Sequence, residues 1–197
     1  MEQEAEPGSL PGPSPQPADE GRHPGSEVEQ WTFLAGPAGL GRLLVVHVTL
    51  VPNEGRASFA AAVRLDPTAA VVLVAGDLPL PRAGLELRGP GIWADHNVEE
   101  PLERWSLGLE AFGVGIDVGA DDDLEVLLAT SGSPDLRGDR APLGWDLEWI
   151  SVDAATPEGA GAGGAGGYRA RCRVEGELLT AAGALELDLP GERIHHW

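Results

Sequence analysis

Residues 191 to 197, Gly-Glu-Arg-Ile-His-His-Trp, set two imidazoles and an indole side by side. Imidazole titrates nearest neutrality and can move a proton or ligate a metal. An indole face can stabilise a cation. On a strand, however, His195 and His196 point to opposite faces, so no metal site is expected from the pair. A second concentration of chemistry lies between two tryptophans, where Asp95, His96, Glu99 and Glu100 fall within residues 93 to 105. Metal binding or acid–base work would need two of these to converge. Asp95 and His96 are adjacent and would diverge, so the cluster reads as solvated loop residues. His47 shares a face with Leu43, Val45 and Thr49, while Leu44, Val46, Val48 and Leu50 make the fully apolar face. It is expected to face outward or to line a polar pocket. Cys172 is the one cysteine, which excludes an intrachain disulfide framework. With no cation on its predicted face, it reads as packing rather than as a nucleophile. Residues 158 to 167 contain a formal G-x-G-x-x-G match, but β alternation resumes at Tyr168, where a dinucleotide fingerprint would open a helix. A flexible hairpin loop is expected there.

The elements that position these residues are strands. Trp105, Leu107, Leu109 and Ala111 alternate with polar or small residues, as do Leu143, Trp145, Leu147 and Trp149. The same period of two runs through Tyr168, Ala170, Cys172, Val174 and Leu178, and through Leu185, Leu187 and Leu189. Residues 42–50, 57–65 and the run from Ala69 read as further strands, the last two as a hairpin. A helix of about two turns is expected near Asp121–Asp123. The helices a parallel βαβ sheet requires are missing. The fold class is therefore all-β: an antiparallel, lipocalin-like barrel or β-sandwich of about nine to eleven strands.

Composition narrows the function. Residues 1–29 carry six prolines, four glycines and seven acidic side chains, and read as a disordered acidic tail ahead of a β domain over 30–197. The start of the chain has neither a cationic region nor an apolar centre, so it reads as neither a secretory signal nor a transit peptide. A soluble cytoplasmic protein is expected. The net charge of −19 argues against nucleic acid and anionic membrane surfaces as partners. The common hydrolase, zinc-protease and P-loop motifs are absent, and no cofactor is expected.

The segments 89–117, 140–152 and 168–197 together resemble the first half of a two-part lipocalin-like family. It includes the AttH-like proteins and the carotenoid hydratases of the hydroxyneurosporene synthase type. That first half ends in G-x-R-x-H-x-W-G, which Gly191, Arg193, His195 and Trp197 match in order, with Ile194 where an acidic residue is often seen. The resemblance implies a site shared with a second lipocalin-like domain, in which His195 protonates an isoprenoid double bond and Trp197 cradles the cation. For this chain the first expectation is binding without catalysis: an apolar lipid- or terpenoid-like molecule held by Trp93, Trp105, Trp145, Trp149 and His47. A diverged hydratase or isomerase using His195 and Trp197 is the alternative. A structural half that assembles with a second domain, or with itself, is the third.

Overall fold

The computed structural model describes residues 14–23, 25–38, 41–130, 137–158 and 166–197. Most of the glycine-rich run at 158–167 therefore lies outside the described residues. The first four strands are β1 (Glu29–Ala35), β2 (Leu44–Val51), β3 (Arg56–Asp66) and β4 (Ala69–Pro79). A short hairpin follows, β5 (Leu85–Gly89) and β6 (Ile92–Glu100), and then the long β7 (Arg104–Asp117). After helix α1 (Leu124–Thr130) come β8 (Asp139–Ser151), the two-residue β9 (Thr156–Pro157), β10 (Gly167–Thr180) and β11 (Gly183–His196).

All pairings are antiparallel, and they close a ring in the order β4-β3-β2-β1-β11-β10-β8-β7 with β7 returning to β4. Closure of this ring, with β5, β6 and β9 left outside it, selects the barrel of the two architectures expected. β7 makes closure possible by changing partners along its length. Its first part pairs with β6 from Arg104 to Ala111, and its last part pairs with β4 from Val114 to Asp117. Gly113 stands at the changeover, where a Cβ would meet Val71 Cγ1 at 2.6 Å and the Val72 carbonyl at 2.8 Å. Only glycine admits so close an approach of the two strands.

The strands expected from alternation bury the residues that alternation assigns to the interior. Trp105, Leu107, Leu109, Leu143, Trp145, Leu147, Trp149, Cys172 and Val174 join Trp31, Phe33 and Phe59 in one core. A smaller cluster lies outside the ring, where Leu124 and Leu128 of α1 cover Val45, Ala62, Val72 and Ile194. Leu185 departs from the expectation and is 50% exposed, because the β10–β11 hairpin carries it to the tip beside Gly183.

Residues 14–23 and 25–28 also depart from it. The acidic composition predicts a tail, yet the described part of this segment folds across one end of the barrel. Pro17–Glu20 form a 3-10 turn, with the Asp19 N–H donating to the Gln16 carbonyl at 2.9 Å and the Asp19 carboxylate accepting the Gln16 N–H at 2.7 Å. Proline at the start of the turn is preset for it. What draws the segment in is a set of buried donors awaiting its carboxylates.

Candidate functional site

The end of the barrel under residues 14–29 is built from carboxylates of that segment and from alternate residues of β11. Register places Arg193 and His195 on the inward face, with Phe33 and Trp31 of β1 opposite them. Glu20 lowers its carboxylate between them. One oxygen accepts from the Leu102 N–H and from Arg193 Nη2, both at 2.8 Å. The other accepts from Trp105 Nε1 at 2.5 Å and Tyr168 Oη at 2.7 Å. Arg193 and Glu20 are both buried, and a buried charge is tolerated only with such partners. Burial pushes the Tyr168 phenol well above its ordinary range, so it stays a donor. Sequence reasoning missed Glu20, because composition reports what most residues of a segment do and not where one carboxylate goes.

Beside it lies a second cluster. Glu29 Oε1 is approached by the His23 backbone N–H at 2.9 Å, His23 Nδ1 at 2.8 Å and His195 Nε2 at 3.0 Å. Burial pushes the Glu29 carboxyl up, but the hydrogen bonds from His195 and His23 outweigh it and hold the group below the usual carboxylate range. His195 Nδ1–H donates to the Asp19 carbonyl at 2.8 Å, and burial pushes this imidazole down against the pull of Glu29. Trp31 stacks on His195 with centroids 4.2 Å apart, and Trp197 stacks on His23 at 3.9 Å. His195 is fully buried with both ring nitrogens engaged, and Trp197 covers His23 rather than an open pocket. As expected, His195 and His196 diverge: His196 Nε2 meets Glu158 Oε2 at 3.2 Å on another side of the strand.

Farther into the barrel the aromatic residues pack on one another. Phe33 touches Trp105, Trp149 and His96 with centroids 5.5–5.6 Å apart, and Phe59 lies 5.8 Å from His96 and 6.5 Å from Trp145. Trp105, Trp145 and Trp149 are thus core, and Trp105 additionally holds Glu20. The placement of His96 corrects the expectation of a solvated loop residue. It sits in β6 alternating with the buried Ile92 and Ala94, and burial pushes its pKa down to about 3. Among the described residues, neither of its ring nitrogens has a hydrogen-bond partner, nor do the indole N–H groups of Trp31, Trp145 and Trp149. The alternation that buried Trp105 would have revealed His96 too, had the flanking Glu99 and Glu100 not suggested a loop. His47 is on the outward side of β2, as expected, where its Nδ1 pairs with Thr32 Oγ1 at 2.9 Å. Burial pushes its pKa down, and it lies on the opposite face of the sheet from the core tryptophans. Cys172 is buried and its thiol is pushed up to about 11 by burial, in keeping with a packing role.

Trp93 alone of the expected ligand-binding tryptophans faces outward beside open space. It joins Glu110, Gly144 and Leu179 in one cross-strand row over β6, β7, β8 and β10. Along this row runs a groove of about 600 Å³, walled by Trp93, Phe112, Pro142 and Leu179. Phe112 and Leu179 are 49% and 46% exposed. A neighbouring groove of about 350 Å³ shares Trp93, Leu109, Glu110 and Leu179 with it and also reaches Trp145. Its floor is the next row, Asp95, Gly108, Asp146 and Glu177, which continues to Glu186. The row beyond carries Glu148, Glu175 and Asp188, which pair with Arg104 and Arg173. Asp95, Asp146, Glu177 and Glu186 have no ion-pair partner among the described residues.

No family model, no curated protein and no solved structure matches this chain. Among the described residues, no helix is long and apolar enough to cross a membrane.

Proposed function

We propose that this protein binds a small apolar molecule with a cationic head in the paired outer grooves, without catalysis. The apolar body lies against Trp93, Phe112 and Leu179. The head reaches the row formed by Asp95, Asp146 and Glu177. The observation that carries this reading is the union of an apolar groove of ligand size with an adjoining unpaired acidic floor, joined through Trp93 and Leu179. Gly108 and Gly144 leave room above the floor where side chains would fill it. The expected apolar ligand and the expected role of Trp93 are retained, and Trp145 borders the smaller groove. Trp105 and Trp149 serve instead as the packed wall behind it. A cytoplasmic setting and kinship with the first half of the double lipocalin-like family belong to the same proposal. The exposed Phe112 and Leu179 also favour a second reading, in which another strand-rich domain covers the groove.

Calorimetry with dodecylamine and, separately, dodecanoate tests the proposal. Dodecylamine is expected to bind, to shift the emission of Trp93 and to weaken as salt rises. Trp93→Ala should weaken it about tenfold, corresponding to roughly 1.4 kcal/mol. Gly108→Leu should block it, since a Cβ there meets nothing closer than the Asp95 carbonyl at 3.7 Å and the fold survives. Equal binding of both amphiphiles, or indifference to both substitutions, refutes the reading. Self-association by sedimentation that Leu179→Arg abolishes would favour the second reading.

A further inference from the structure

We propose that His23, Glu29 and His195 form a three-ligand site for a divalent transition-metal ion of the zinc type. The ligand atoms are His23 Nδ1, Glu29 Oε1 and His195 Nε2, and all lie within 4.8 Å of one another. The two nitrogens stand 2.8 and 3.0 Å from the shared carboxylate oxygen. Ligands about 2.1 Å from a tetrahedral ion stand about 3.4 Å apart, so the two contacts need to open by only about half an ångström to admit one. The outer shell fits as well. His195 spends its Nδ1–H on the Asp19 carbonyl at 2.8 Å, the hydrogen bond that fixes the tautomer of a ligating imidazole. When the ring is neutral in that tautomer, Nε2 bears a lone pair that points at the Glu29 carboxylate oxygen. Two electron-rich atoms so placed repel unless an electrophile lies between them, either a proton or a metal ion.

His23 presents Nδ1 to Glu29 at 2.8 Å, while its Nε2 lies 3.8 Å from the Asp19 carboxylate, beyond hydrogen-bond distance. Stacking by Trp197 and Trp31 sets both rings in place before any ion arrives. Two imidazole nitrogens and one carboxylate suit zinc and its neighbours, whereas magnesium and calcium prefer oxygen donors throughout. His195 and Glu29 are buried and His23 is partly exposed, so an ion enters from the His23 side. A net charge of −19 draws cations to the surface.

The test uses the full chain, freed of any affinity tag and stripped with EDTA. Calorimetric titration with Zn²⁺ should find one ion per chain. Co²⁺ should give visible absorption bands and quench Trp197, whose ring lies on a ligand. His23→Ala is expected to weaken both by at least about tenfold. Glu29→Gln keeps the side-chain shape and should do the same. His196→Ala, on the other side of the strand, should leave affinity unchanged. Circular dichroism checks that each variant keeps its fold, and because His23 is partly exposed its replacement stays interpretable where that of His195 would not. The proposal is overturned if the wild-type chain takes up no stoichiometric Zn²⁺, which would leave a proton between the ligands. It is overturned equally if His23→Ala and Glu29→Gln bind as the wild type does, or if His196→Ala abolishes binding.

Discussion

His96 makes the stability of the barrel depend on acid in a way that can be isolated. Its imidazole lies among Phe33 and Phe59, cross-strand from Leu85 and Leu107, and burial holds its pKa at about 3 against an ordinary 6.5. The folded chain refuses a proton that the unfolded chain accepts below pH 6.5. Stability is therefore fully present above that pH, falls as pH drops through 6.5, and stops falling below about 3. At 1.36 kcal/mol per pH unit, lowering the pH from 8 to 5 costs about 2 kcal/mol through this one group. That equals roughly 1 M in the urea midpoint. The assay therefore compares the wild type with His96→Leu, in which every other ionisable group remains. Urea unfolding at pH 8 and pH 5 should show the wild type losing about 2 kcal/mol more than the variant. At pH 8 the variant should be at least as stable, since it removes two unpartnered buried polar atoms. If the two proteins lose stability in parallel between these pH values, the burial argument for His96 is wrong.

Glu20→Ala should destabilise the barrel by about 3–5 kcal/mol in denaturant unfolding, because it leaves the Arg193 guanidinium buried without its counter-charge. Gly176→Ala should cost about 3 kcal/mol in the same assay. Its φ is +126°, and a Cβ would stand 2.2 Å from the Asp146 carbonyl. A thiol reagent at pH 8 should leave native Cys172 unmodified and label it promptly in denaturant, since burial removes both access and thiolate.

The interior was legible wherever a strand had one wet face and one dry face. From Leu143 to Trp149, and from Tyr168 to Val174, the period of two alone named the buried residues. Ring closure was not legible, because the pairing of Val72 with Val114 joins segments of β4 and β7 that carry no mutual signal in sequence. The polar end of the barrel was illegible for a different reason. Glu20 is buried because Arg193 waits 173 positions away, and hydropathy averaged over a window reads only neighbours. The same averaging hid Glu29 and His23, while His195 stood out as one of two adjacent histidines beside Trp197, and Arg193 only through the motif that the last strand resembles. Trp93 alternates like Trp105 yet faces out, because β6 is offset in phase and buries Ile92, Ala94 and His96.

The unpaired acidic row on the outer face has no explanation in stability. Like charges directly opposite on neighbouring strands are destabilising, and here Asp146 faces Glu177 while Glu177 faces Glu186. The next row shows that the fold can neutralise such a face, because Arg173 reaches Asp188 and Glu175 and Arg104 reaches Glu148. One row of the same sheet is compensated by arginine and its neighbour is not. The uncompensated row is the one that floors a groove beside Trp93. Repulsion among these carboxylates is relieved when a cation binds, so the free energy lost in the empty sheet returns as affinity. A cationic head gains from the carboxylates, whereas an anionic head would add to the repulsion.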